Sequence, residues 1–214
     1  MSLDTRSLAA LLTVGIVALY EVWFALARRR RPGELARSAH ATLREDWFDA
    51  VSREPGTEIL AVQTLRNSLM SASMTASTAV LGLMGTITLS ASSLATGFSG
   101  APMAVPEFTP RLALELVVLA LLFASLVSSV MAVRYYNHAG FIAGMPVGSE
   151  ARQRWHATGR SHVRRAGILY SWSLRQLLLV VPAVAFILHP GAGPVAAVMV
   201  VAVLLPFDRL RPQP

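Results

Sequence analysis

Residues 112–133 read LALELVVLALLFASLVSSVMAV, and Glu115 is the one charged residue in that stretch. A helix that crosses a bilayer needs about 20 predominantly apolar residues, so this run predicts a transmembrane helix. The run is followed by Arg134, Tyr135 and Tyr136, and a charge beside aromatic residues is typical of the membrane–water interface. The stretch therefore indicates an all-α membrane protein.

Four other apolar runs, at about 8–27, 69–94, 168–188 and 191–206, continue this pattern along the chain. We therefore expect a single transmembrane domain over residues 1–214, built as a polytopic bundle of about five transmembrane helices. The last run is short for a straight crossing. A re-entrant hairpin formed by the last two runs is therefore an alternative.

Composition excludes several classes of protein. Of the 214 residues, 54% are hydrophobic and 14% are charged, whereas soluble domains average about 25% charged residues. The chain has no cysteine, which excludes disulfides, thiolate catalysis and cysteine-based metal sites. All 19 basic residues are arginine, a usage that fits a GC-rich bacterial genome. The formal charge of +7 does not indicate a nucleic-acid partner, because the arginines lie in short loops beside the apolar runs.

The arginines alternate between the segments that separate these runs. In chain order the segments hold one, eight, one, six, zero and two arginines. Cytoplasmic loops of membrane proteins are enriched in basic residues, so segments 28–66 and 134–167 are predicted to be cytoplasmic. Five crossings, with the N-terminus outside and the C-terminus with Arg209 and Arg211 inside, fit this alternation. We expect a multi-pass protein of the bacterial cytoplasmic (inner) membrane.

The first cytoplasmic segment predicts an amphipathic helix. Its apolar residues recur at helical spacing: Leu35, Ala39, Leu43, Trp47, Ala50 and Val51. Such a helix lies on the membrane surface, with Trp47 and Phe48 at headgroup depth, or packs on the rest of the bundle. We expect Glu54-Pro55-Gly56 to end it and Thr57 with Glu58 to begin the next helix.

The second cytoplasmic segment predicts a basic helix. Ser149 is a candidate N-cap, and the helix is expected to continue to about Ala166. Its arginines are expected to lie against the anionic lipids of the cytoplasmic leaflet, where each contributes about 1 kcal/mol; they are Arg152, Arg154, Arg160, Arg164 and Arg165. Docking onto an acidic partner subunit is the alternative.

A stripe of small and hydroxyl-bearing residues follows one face of the second apolar run. Its members are spaced three, four or seven residues apart and are Ser68, Ser71, Thr75, Thr78, Gly82, Thr86 and Ser93. Small residues allow close helix packing and interhelical hydrogen bonds. Hydroxyls also replace part of an ion's hydration shell along a hydrated path. Close packing is the commoner use of such a stripe.

Arg175 is a charge within the fourth apolar run. An arginine there costs at least about 2.5 kcal/mol unless it reaches the interface, pairs with an acid or meets water. Glu21, at a comparable depth in the first run, is a possible ion-pair partner, and an anion in a conduit is another; Glu115 lies too far across the membrane. Extension of the side chain to the interface beside Trp172 is the simpler interpretation. Pro182, farther along the same run, is expected to kink the helix.

Several of these residues resemble the signature of an uncharacterised family of small multi-span membrane proteins, a domain of unknown function in bacteria and plants. The similar motifs are Leu-Arg-Asn-x-Leu-Met at residues 65–70, residues 134–138, and Trp172 to Arg175 with His189-Pro190. The resemblance covers nearly the whole chain after about Leu43. It implies an all-helical membrane domain and brings no functional residues with it. In this sequence Ser68 stands where the family motif has a second asparagine.

The leading functional hypothesis is a homo-oligomeric channel or transporter-like protein for ions or small solutes. Its path would be lined by the second run, with a polar belt made of Arg66, Asn67, Ser71, Thr75, Thr78 and Arg175. The alternative is a non-catalytic structural or assembly subunit of a larger membrane complex. We expect no enzyme activity because no paired carboxylates or activated nucleophile are visible. The scattered histidines suggest no metal site, and no cofactor is expected.

Overall fold

A computed structural model describes residues 4–30, 36–98 and 109–208. All regular secondary structure within those ranges is α-helical. The helices are α1 (Thr5–Arg30), α2 (Ala36–Val51), α3 (Glu58–Phe98), α4 (Pro110–Ala143), α5 (Glu150–Leu188) and α6 (Ala192–Asp208). Predictions that fall on Arg31, on Leu35, on most of the segment before α4, and on Arg209 and Arg211 lie outside the described residues.

Four helices contain segments long and apolar enough to cross a membrane: Thr5–Ala27, Glu58–Ala91, Pro110–Ala143 and Glu150–Leu188. The predicted all-α polytopic bundle is confirmed. The fifth apolar run forms α6, whose 17 residues span about 25 Å at 1.5 Å per residue. That length is just under the roughly 30 Å of a hydrocarbon core, so a fifth crossing stays a prediction.

Three helices extend well beyond the apolar runs that predicted them. They contain 41 residues in α3, 34 in α4 and 39 in α5. The predicted basic helix and the fourth apolar run are therefore one continuous helix, α5. No proline interrupts the chain between Glu150 and Val181, so the backbone hydrogen bonds continue from the polar segment into the apolar one.

Local capping explains where these helices begin. Ser149 Oγ accepts a hydrogen bond from the backbone N–H of Arg152 at 3.3 Å, which is the N-cap geometry expected for α5. At α4, Thr109 Oγ1 accepts from the N–H of Leu112 at 3.2 Å, and Pro110 occupies the first helical position, where its missing N–H is tolerated.

The chain divides into two compact units, whose boundaries fall within α3, α4 and α5. The first unit comprises the described parts of residues 1–32, 79–124 and 175–209. It has two apolar cores. One contains Leu114, Leu122 and Phe186, and the other contains Leu179 and Leu204.

Within the first unit, α1 and α6 pack together and run in the same direction. Gly193, near the start of α6, packs against Thr13, where an added Cβ would lie 2.5 Å from Thr13 Oγ1. At the other end of α6, the Tyr20 hydroxyl donates a hydrogen bond to Asp208. The first residues of α1 and the last residues of α6 therefore lie at opposite ends of this unit.

The second unit comprises the described parts of residues 33–78 and 125–174. Here α2 packs on α5: the Phe48 ring is fully buried and lies over Gly159, where a Cβ would meet it at 2.4 Å. The Arg44 guanidinium lies on Gly167 in the same way, at 2.5 Å from the position of a Cβ. The structure therefore contains the packed form of the amphipathic helix, in which Phe48 lies against α5.

Candidate functional site

A buried charge cluster in the first unit contains Arg175. Its Nε donates to Glu21 Oε1 at 2.9 Å and its Nη1 donates to Asp208 Oδ2 at 2.5 Å. Arg175 is 3% exposed, so its charge is held by carboxylates inside the unit and does not extend to the surface. One arginine from α5 therefore joins an acid from α1 to an acid from α6.

Aromatic rings complete this cluster, which we call the Arg175 cluster (Tyr20, Glu21, Phe24, Arg175 and Asp208). The guanidinium carbon lies 4.0 Å from the centroid of the Phe24 ring and 5.0 Å from that of Tyr20, within the range of cation–π attraction. The Tyr20 hydroxyl also donates to Asp208. Arg175 Nη2 is buried and has no hydrogen-bond partner among the described residues, although arginine carries five N–H donors.

The cluster borders a cavity of about 250 Å³ between α1, α4 and α5. Its walls are mainly apolar, and its polar lining comes from Thr13, Glu21 and Gln176. Glu21 therefore contacts Arg175 on one side and the cavity on the other, and its side chain remains 31% exposed. Pro182 also lines this cavity. As an internal proline it leaves the carbonyl four residues earlier in α5 without its helical donor.

A second buried acid in the first unit is Glu115. Arg111 Nε donates to Glu115 Oε1 at 2.9 Å, one turn away on α4. Glu115 is 2% exposed, and its Oε2 has no partner among the described residues. Glu115 has its own basic partner, in agreement with the expectation that it does not pair with Arg175.

The residues of the predicted polar belt on α3 lie in the second unit. Arg66, Asn67, Ser71 and Thr78 are exposed, whereas Thr75 is buried. The hydroxyls of Ser71, Thr75 and Thr78 each donate to the backbone carbonyl four residues earlier. These three hydroxyls are thus bonded within their own helix, and Arg175 belongs to a separate group of side chains in the first unit.

Close packing is observed for one glycine of α3. At Gly82 an added Cβ would lie 3.0 Å from Leu122 of α4, whereas at Gly85 it would meet nothing within 4 Å. Interhelical hydroxyl bonds are observed between α4 and α5. The Ser173 hydroxyl lies 2.8 Å from that of Ser125 and 2.5 Å from that of Ser129, and all three side chains are buried.

Arg152 departs from the sequence-based expectation. It was expected to lie against lipid, but it is 2% exposed and binds the ends of two other helices. Its Nη1 donates to the carbonyls of Ala143 and Met145, both at 2.6 Å. Its Nη2 donates to the Val51 carbonyl at 3.2 Å and to Ser52 Oγ at 3.3 Å. The reason is that helix C-termini leave carbonyls without partners, and a guanidinium supplies several donors at once.

Two other arginines of the predicted basic helix face α2. Arg160 contacts Glu45 at 3.9 Å and Asp49 at 3.4 Å, and Arg164 contacts Glu45 at 3.8 Å. Their acidic partner is therefore a helix of the same chain. Arg154 and Arg165 are exposed, as the surface interpretation requires of them.

The sequence analysis did not identify Asp208, because this residue lies outside the bounds predicted for the last apolar run. Arg175 lies 13 residues before the end of α5, and Asp208 lies 16 residues after the start of α6. Counting outward from the His189-Pro190-Gly191 turn would have brought the two residues near the same end of a hairpin. Among the residues described, no group of three or more His, Cys, Asp or Glu is arranged to hold a metal ion.

Comparison with known proteins adds a family. The family model described as "Protein of unknown function, DUF599" matches residues 8–212. Neither the curated proteins nor the solved structures contain a match to the chain.

Proposed function

We propose that this chain, which belongs to the DUF599 family of proteins of unknown function, is a homo-oligomeric membrane transport protein for ions or small solutes. The single observation that carries the proposal is the Arg175 cluster beside its cavity. Transport by this protein needs no catalytic step. We place the protein in the bacterial inner membrane, with the N-terminus outside.

Ionisable groups inside a membrane are rare because each is costly to bury, and they commonly mark ion pathways. The Arg175 cluster contains one guanidinium and two carboxylates. With all three ionised it carries one excess negative charge, which favours a proton or a small cation as the transported species. Glu21 is the acid that such an ion would meet first, because it also lines the cavity.

The size of the cavity supports a small species. Its volume of about 250 Å³ lies below the roughly 300–1,000 Å³ of pockets for drug-sized ligands. It corresponds to about eight water molecules at ~30 Å³ each. Pro182 supports movement at this place, because a helix that lacks one backbone hydrogen bond bends more easily.

The homo-oligomer is supported by the outer face of α3. Its small residues recur every seven positions at Thr64, Ser71, Thr78 and Gly85, and all four are exposed in the single chain. A seven-residue repeat of small residues allows the backbones of two helices to approach closely. Gly85 has nothing within 4 Å of an added Cβ, so packing within the single chain does not explain why it is glycine.

Gly85→Leu tests this interface. It is expected to reduce inter-subunit cross-linking in liposomes, whereas Met84→Leu, at the neighbouring exposed position, leaves it unchanged. Equal cross-linking of both variants and the parent protein would exclude this face. A stable monomer in lipid would contradict the homo-oligomer itself. Monomers that take up a different membrane protein along α3 would instead favour the assembly-subunit alternative.

The orientation can be tested with single cysteines, because the chain has none of its own. A membrane-impermeant maleimide is expected to label His189→Cys from outside intact cells. Glu54→Cys should be labelled only after permeabilisation. The reverse pattern would invert the proposed topology.

Transport is tested by flux of protons, alkali cations and chloride through purified protein in liposomes. We expect selective flux that falls at least about tenfold in Arg175→Ala, since a lost charge-assisted hydrogen bond of 1.5 kcal/mol or more corresponds to about that factor. Arg154→Ala, at an exposed position on the same helix, is the matched control. Arg175→Lys keeps the charge beside the two carboxylates but lacks the planar guanidinium that binds both. It is the second variant for the case that Arg175→Ala fails to fold. Absence of flux from folded protein would refute the proposal.

A further inference from the structure

A second cavity, of about 550 Å³, lies in the second unit between α4 and the polar part of α5. We call it the α4–α5 cavity. Its basic and imidazole groups come from Arg134, His138 and His162, and no Asp or Glu lines it. A lining without carboxylates does not repel an anion. Its nitrogen atoms can also donate several hydrogen bonds to a bound anion.

His162 shows that this cavity has an unused hydrogen-bonding group. Its ring centroid lies 5.2 Å from that of Tyr135 and 5.8 Å from that of His138. Its Nδ1 is buried and has no hydrogen-bond partner among the described residues. Buried polar atoms are nearly always paired, so a ligand that hydrogen-bonds to Nδ1 would supply what the described chain does not.

Two aromatic side chains of the lining are exposed. Trp155 is 49% exposed and Phe141 is 69% exposed, although both belong to the cavity wall. Tryptophan, which has an apolar ring and a polar N–H, is typical of the headgroup level of a membrane, and the apolar ring of phenylalanine suits acyl carbons. The cavity thus combines donors suited to a phosphate with rings suited to glycerol and acyl carbons.

Three other basic side chains of α5 are already engaged. Arg152 binds helix ends, and Arg160 and Arg164 contact acids of α2. Arg134, by contrast, is exposed and forms no ion pair with the described residues. It is therefore an available cation at the edge of the α4–α5 cavity.

From these observations we propose that the α4–α5 cavity binds the phosphate of an anionic phospholipid, with Arg134 and His162 as donors and with Trp155 and Phe141 against the glycerol and acyl groups. Anionic lipid is thereby assigned to one cavity on α4 and α5 and not to the whole basic face of α5. This inference does not depend on the transport proposal.

The test uses the full-length protein in nanodiscs of phosphatidylcholine that contain a rising share of dibrominated phosphatidylglycerol. Bromine quenches nearby tryptophan, and Trp155→Phe identifies the part of the quenching that comes from Trp155. We expect saturable quenching of Trp155 at low shares of phosphatidylglycerol. Dibrominated phosphatidylcholine at the same share should quench it much less.

Arg134→Gln is expected to weaken the lipid's apparent affinity by about tenfold or more, the factor for one charge-assisted hydrogen bond. His162→Phe should weaken it as well, whereas His162→Asn, which can still hydrogen-bond, should weaken it less. Arg154→Gln, at an exposed position outside the cavity wall, should leave it unchanged. Since Arg134 is exposed, its variant is expected to fold, and circular dichroism checks this.

Three results would overturn the inference. The first is equal quenching by the two brominated lipids, and the second is an equal effect of Arg134→Gln and Arg154→Gln. The third is Arg134-dependent binding of inorganic phosphate, measured by calorimetry, without preference for phosphatidylglycerol. That outcome would identify a free anion, not a lipid, as the ligand. Displacement of phosphatidylglycerol by glycerol phosphate, but not by glycerol, would support recognition of the lipid's phosphate.

Discussion

Replacing Arg152 with alanine removes the donor that joins the C-terminal ends of α2 and α4. Its four hydrogen bonds go to two carbonyls near the end of α4 and to Val51 and Ser52 at the end of α2. The two bonds from Nη1 are short, at 2.6 Å each. Because Arg152 is 2% exposed, water does not already compete for these carbonyls in the folded protein.

The expected loss of stability in Arg152→Ala follows from these two short hydrogen bonds. A hydrogen bond from a charged donor contributes about 1.5–3 kcal/mol net, so two of them correspond to about 3–6 kcal/mol in the free energy of unfolding. Water that enters the space left by alanine recovers part of this, which favours the lower half of the range. For a chain of this size a loss of about 3 kcal/mol corresponds to a melting temperature on the order of 10 °C lower.

The assay is thermal unfolding of the full-length protein in a mild detergent, followed by circular dichroism. Arg154→Ala is the matched control, because this arginine lies two residues away on the same helix and is exposed. It should change stability by no more than about 0.5 kcal/mol. Arg152→Lys should fall between the two, since an ammonium keeps the charge but cannot span both helix ends. Equal melting temperatures for Arg152→Ala and Arg154→Ala would refute the reasoning.

Two further predictions concern packing on α5. Gly159→Ala should destabilise the protein by about 1–3 kcal/mol, the usual cost of overpacking, because the new methyl group would lie 2.4 Å from the Phe48 ring. Gly140→Ala, where a Cβ meets nothing within 4 Å, should instead be neutral or stabilise by up to about 1 kcal/mol; the opposite order in thermal unfolding would contradict the packing. Ser173→Ala should cost about 1 kcal/mol by breaking bonds between α4 and α5, and more than Ser171→Ala, whose hydroxyl bonds only its own helix. Equal unfolding free energies of the two serine variants would contradict this.

Hydropathy was sufficient to predict the helices but not their lengths. The run at 112–133 is the apolar centre of α4, which continues to Ala143. Amphipathic extensions carry less hydropathy signal than the apolar centre, so the parts of α4 and α5 outside their apolar centres could be predicted only as separate segments. The cap at Ser149 was predictable because capping depends on local residue types.

The orientation of side chains within those extensions was harder to predict. Arg152 and Arg154 are both arginines on one amphipathic helix, yet one is buried and the other is exposed. A count of charged residues treats them alike, because it contains no information on where the C-terminal carbonyls of other helices lie. A usable signal existed for α2: Glu45 and Asp49 are spaced four residues apart, as are Arg160 and Arg164, and matching charged faces favour helix pairing.

The Arg175 cluster could be predicted in part. Depth along the apolar runs was enough to suggest Glu21 as a partner of Arg175, because both lie at similar distances from one end of their runs. Asp208 and the aromatic contacts depend on how α1, α5 and α6 pack in three dimensions. Hydropathy contains little of that information, since the helix faces in contact with lipid and with protein are both apolar.

The most direct test of the central claim is flux of protons and alkali cations through Glu21→Gln in liposomes, compared with Glu54→Gln. Both variants remove one carboxylate, but Glu21 lines the cavity whereas Glu54 lies exposed in the turn after α2. The account predicts at least about tenfold lower flux for Glu21→Gln, since a change of 1.4 kcal/mol in barrier is tenfold in rate, and parental flux for Glu54→Gln. Parental flux in both variants, from protein with the parental circular dichroism spectrum, would contradict the claim that ions pass the Arg175 cluster.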